Sequence, residues 1–87
     1  MEVQRTTTEG KTVISETLKL TYSVYTKGSK KEVVGEIRKN DEVIGYFNAS
    51  SNRIIGFSLS EGNTLDKEDI RKVSAQFFED IINILEL

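Results

Sequence analysis

The chain contains no cysteine, no histidine and no tryptophan. Without cysteine there are no disulfides and no thiolate metal sites. Without histidine the commonest general base and metal ligand near neutral pH is missing. No run of about 18 apolar residues occurs, so nothing in the sequence is expected to span a bilayer. The first ten residues, MEVQRTTTEG, lack the apolar segment of a secretory signal, which favours the cytoplasm. The formal net charge is only −2, so no overall electrostatic pull toward nucleic acid or an anionic membrane is expected.

What is present is pattern. The 87 residues suit one domain with a single, thin core. The segment from Asp66 to Leu87 reads as an amphipathic helix. Asp66 is the expected N-cap, accepting from the amide of Glu68 or Asp69, with Leu65 and Ile70 placed as a hydrophobic staple. At about 100° per residue, Ile70, Val73, Phe77, Phe78, Ile81, Ile84 and Leu85 fall on one side. The apolar arc is roughly 180° wide, where a helix on a core needs about 100°. Phe78 and Ile82 are the surplus. They either wrap over a twisted sheet edge or meet a second copy of the chain.

Residues 1–12 are polar and threonine-rich and read as a flexible tail or a short extra strand, with Glu9-Gly10 as a candidate turn. Residues 13–87 carry the domain. From Ile14 to Val24 apolar side chains recur at even positions, the period of a strand with one dry face. Two-residue turns at Lys27-Gly28, Asn40-Asp41 and Ser51-Asn52 would separate strands at Lys31–Lys39, Glu42–Ser50 and Arg53–Ser60. Each turn fixes a register. Together they stack three rows on one side: Leu18/Ile37/Ile44/Leu59, Leu20/Gly35/Tyr46/Phe57 and Tyr22/Val33/Asn48/Ile55. Gly35 would lie beside Tyr46, and Asn48 is the one misfit. The expected fold is α+β, a two-layer, four-stranded antiparallel meander in the order 1-2-3-4 with one C-terminal helix on one face. Residues Thr12–Ser15 would overhang the sheet. They must bend, pair with the N-terminal segment or pair with another chain.

The opposite face has no helix left to cover it. Val34, Val43, Phe47 and Ile54 would form an apolar patch there, with Tyr25, Lys19 and Arg38 on the face or its rim, and Lys19 paired with Glu36 across strands. Such a patch can mark an interaction site, although β-branched and aromatic residues favour strands even when wet. The acids Glu61, Asp66, Glu68 and Asp69 near the helix start read as caps and dipole partners. The glycines are dispersed and form no phosphate loop. No enzyme, cofactor or metal is therefore expected.

Two functions remain. One is a small interaction module that joins a second copy of itself or another protein. The other is binding of single-stranded nucleic acid on the uncovered face, where Tyr25 and Phe47 stand with Lys19, Lys30, Arg38 and Arg53. Four strands followed by a helix resembles, as an order of elements only, the single-strand-binding coactivators of the PC4 type and the Pur-type repeats. That resemblance implies dimeric single-strand binding, but Glu32 and Glu36 on the same face oppose it.

Overall fold

The computed structural model describes residues 6–87. Residues 1–5 of the expected tail lie outside the described residues. Five strands, β1 (Thr6–Val13), β2 (Leu18–Lys27), β3 (Lys30–Lys39), β4 (Glu42–Ser50) and β5 (Ile55–Leu59), precede the helix α1 (Lys67–Leu85). The strands form one antiparallel sheet in sequence order. The α+β class and the C-terminal helix stand as expected, with one strand more than four.

The additional strand is β1, and it takes up the overhang. Val13 pairs with Lys19 and Thr12 with Leu20. Glu9-Gly10 lies within β1, and the reversal falls at residues 14–17. There the Ser15 hydroxyl accepts from the amide of Leu18 at 3.2 Å. The Ile14 and Ser15 amides donate to the Leu18 carbonyl at 2.9 and 3.1 Å. A serine hydroxyl that substitutes for a backbone partner is a recurrent way to turn a chain.

The β2–β3 turn uses Gly28-Ser29, one residue beyond the expected pair. Gly28 has φ +62°, and a turn with glycine first needs positive φ at only one position, whereas Lys27-Gly28 would demand it of lysine. The strands slip by two residues, so Leu20 faces Ile37 and Tyr22 faces Gly35. An even slip keeps every side chain on its expected face.

The turn at Asn40-Asp41 forms as expected, with φ of 53° and 65°. A β-bulge then interrupts the ladder: Arg38 faces Val43, but Ile37 faces Gly45. Ile44 is the extra residue. A Cβ on Gly45 would lie 2.6 Å from the Ser58 carbonyl oxygen and 2.9 Å from Ile37 Cδ1, so glycine is required where the strand kinks. Beyond the bulge the faces of β4 invert. Phe47 and Ala49 are buried, while Tyr46 and Asn48 point outward. Gly35 therefore lies beneath Phe47, not Tyr46. The physical gain is plain. A continuous ladder would bury the Asn48 amide, which costs about 1–3 kcal/mol when unpaired; the bulge buries phenylalanine and alanine instead.

The β4–β5 loop also holds one residue more than expected. Ser51, Asn52 and Arg53 form it, Arg53 with φ +63°, closed by Ser50 N–H donating to Ile54 O at 3.0 Å. This second extra residue restores β5 to its expected face, with Phe57 opposite Phe47 and Leu59 opposite Gly45.

The core is apolar. Leu18, Leu20, Tyr22, Val33, Ile37, Ile44, Phe47 and Ala49 meet Val73, Phe77, Ile81 and Leu85. Phe77 stands at its centre, 4.9 Å from Phe47 and 5.2 Å from Phe57 between ring centroids. Asp66 caps α1 as expected, accepting from Asp69 N at 2.8 Å in a capping box. Two lysines of β3 hold the two helix ends. Lys39 Nζ donates to Asp69 Oδ2 at 3.0 Å and to Thr64 O at 2.9 Å. Lys31 Nζ donates to Ile84 O at 3.3 Å, a cation at the negative end of a helix whose own last turn has none.

Candidate interaction surfaces

Three surfaces lie outside the core. The first is the side of the two-layer structure toward β5, where Phe77 of α1 meets Phe57. Phe78 and Ile82, the surplus of the helical arc, are 49% and 48% exposed. Phe78 packs edge-on to Phe77, with ring centroids 5.2 Å apart. Ile70 on the helix and Ile55 on β5 are also exposed, and Phe57 and Leu59 are only partly buried. Among the described residues β5 has a strand neighbour on one side only. Its sequence, IGFSL, contains no charge and no proline. The other edge, β1, carries Glu9 and Lys11. Charges and prolines are the usual guards of an open strand edge, so β5 has only its shortness to protect it.

The second surface is the outer face of the sheet. Its expected centre is absent, because Phe47 is 3% exposed and faces Phe77. Asn48 takes its place opposite Val34. Val34 and Ile54 are exposed, and Val43 and Tyr25 are half-buried. Polar rows thus separate the apolar residues, and the expected continuous patch of Val34, Val43, Phe47 and Ile54 does not form. The exposed aromatic is Tyr46, 58% exposed, opposite Glu36 and Ser58. The expected Lys19–Glu36 pair does not form either. The two-residue slip sets Lys19 opposite Arg38. Lys19 then pairs with Asp41 at 2.7 Å and Arg38 with Glu36 at 3.0 Å. Hydrogen bonding from Lys19 holds the Asp41 carboxyl below the ordinary range.

The third surface was invisible to pattern reading. Asp80, on the flank of α1 away from Phe78, accepts from three neutral donors. Thr12 Oγ1 donates to Oδ2 at 2.8 Å, Gln76 Nε2 donates to Oδ1 at 2.8 Å, and the Tyr22 hydroxyl also donates to Oδ2. Burial, and then the carboxylate itself, push the Tyr22 phenol well above its ordinary range, so it remains a donor. The network joins β1, β2 and α1. In the sequence Asp80 is one acid on a polar helix face, and only knowledge of β1 would have paired it with Thr12.

Among the described residues no group of three or more acidic side chains could hold a metal ion, and no helix is long and apolar enough to cross a membrane. No family model, curated protein or solved structure matches this chain.

Proposed function

We propose that this chain is a small, non-enzymatic binding module of the cytoplasm that self-associates through the side formed by α1 and β5. The observation that carries this reading is the half-exposed pair Phe78 and Ile82 beside an unguarded edge strand. A two-fold contact brings the same patch of each copy together, so the patch must complement itself. A neutral apolar patch does so without like-charge repulsion. Sedimentation velocity across the micromolar range tests the proposal. The expected result is a concentration-dependent dimer that Phe78→Asp converts to a monomer with an unchanged far-UV spectrum. A wild-type chain that remains monomeric throughout overturns it.

A second reading, single-stranded nucleic acid on the outer face, now rests on Tyr46 in place of Phe47. Against it, Lys19 and Arg38 already have carboxylate partners. An anisotropy titration of mixed-sequence oligonucleotides at low salt decides the matter: binding lost in Tyr46→Ala supports it, and no binding ends it.

A further inference from the structure

Between β1 and α1 lies a groove of about 310 Å3, at the lower end of the size of small-molecule sites. Asp80 and Tyr22 form its floor, Val24 and Ile84 line it, and Thr8 and Asn83 bring polar groups to it. Two features of this groove lack a structural reason.

The first is charge. Asp80 is half-buried, yet no lysine or arginine among the described residues pairs with it. Its three donors are neutral, so they orient the carboxylate without cancelling its charge. A carboxylate offers about four acceptor positions. Two on Oδ2 and one on Oδ1 are taken, which leaves one on Oδ1. Desolvating a charge without a partner is costly.

The second is Gly10. It sits within β1 opposite Tyr22, where glycine weakens a strand. Its φ is not positive, and a Cβ built on it meets nothing within 4 Å. Neither backbone conformation nor close packing calls for glycine here. Its missing side chain would project over Tyr22, on the side of β1 that carries Thr12, and so would occupy the groove.

We infer that this groove binds a protonated amine, with the ammonium on Asp80 Oδ1 and its aliphatic stem against Val24 and Ile84. An ammonium supplies the missing charge and donates to the remaining acceptor in a charge-assisted hydrogen bond. Of the charged residues at the mouth, Glu9 and Lys11 cancel. The amine is either a free alkylamine or the side chain of a peptide lysine; both present the same group. The site is independent of self-association, because Asp80 and Phe78 lie on opposite flanks of α1.

Amide-shift NMR titrations of the full chain test this, using n-butylammonium, Nα-acetyl-lysine methylamide and neutral n-butanol. Saturable shifts at Gly10, Thr12, Val24 and Asn83 are expected with either or both amines and not with butanol. Preference for butylammonium assigns the site to a free amine, and preference for the lysine derivative assigns it to a peptide. Gly10→Val fills the groove with no clash at the backbone and should weaken binding about ten-fold or more while leaving the melting temperature no lower. Asp80→Asn should weaken it as much. Phe78→Asp should leave it unchanged, so loss of the dimer and loss of the amine site are distinguishable. Shifts of equal size with butanol, shifts that do not saturate and spread over exposed acids, or binding untouched by Gly10→Val overturn the inference.

Discussion

Tyr22 is the one hydroxyl-bearing residue of the buried core cluster, and its hydroxyl is committed to Asp80. Removing it in Tyr22→Phe leaves Asp80 with Thr12 and Gln76. The expected cost is about 2 kcal/mol, as for a hydrogen bond to a charged group, measured by urea denaturation at neutral pH. The pH dependence has a definite sign. A phenol whose folded pKa is raised, first by burial and then by Asp80, contributes stability that is complete below its unfolded value of about 10. That stability is lost as pH rises further. Wild type should therefore weaken above that pH through this group, and Tyr22→Phe should lack that component. Arg53 offers the opposite experiment. It holds φ +63° in an exposed loop, a conformation that costs a side-chain-bearing residue about 1 kcal/mol relative to glycine. Arg53→Gly should raise the melting temperature.

At the scale of elements, β3 and α1 are fastened at both ends. Asp69 has its carboxyl held below the ordinary range, chiefly by the hydrogen bond from Lys39. A lowered folded pKa gives stability that is present above the unfolded value and lost as pH falls through the folded one. Lys39→Met should lower the melting temperature at neutral pH, and the two proteins should converge as pH drops below about 4. Scanning calorimetry over that range checks it; a constant difference would deny the pair its role. The cap at Asp66 and the helical arc were legible in the sequence because they depend on local spacing. The inward set of β2 and β3 was legible despite a misplaced turn, because the error was an even number of residues. β4 was not. One unannounced residue at Ile44 inverted Tyr46, Phe47, Asn48 and Ala49. A second, at Arg53, returned Phe57 and Leu59 to where simple alternation placed them. Asn48 as the single misfit in an apolar row was the available signal, since a bulge beside Gly45 cures it. β1 was obscured for a different reason. TTTEGKTV has almost no apolar alternation, and its inner face meets polar partners on α1.

For the whole molecule, the open question is what happens at the β5 edge. If the dimer forms there, a cation on the outward side of β5 should oppose it without touching the core. Ser58 is exposed and lies opposite Tyr46. Ser58→Lys should raise the dimer dissociation constant while leaving monomer stability within about 0.5 kcal/mol, as for most surface substitutions. Concentration-dependent light scattering with parallel chemical denaturation checks both halves. An unchanged association would place the contact on the helix alone and away from the strand.

Lys31 and Lys39 also act as a gauge. Eight strand steps separate them, about 26 Å at about 3.3 Å each. The stretch of α1 they grip, from Asp69 to Ile84, spans fifteen helical steps, about 22 Å. Those lengths agree to within the reach of two flexible side chains. Shortening α1 by a full turn, about 5.4 Å, would more than double that mismatch and force one lysine to let go, so the strand sets how short the helix can be.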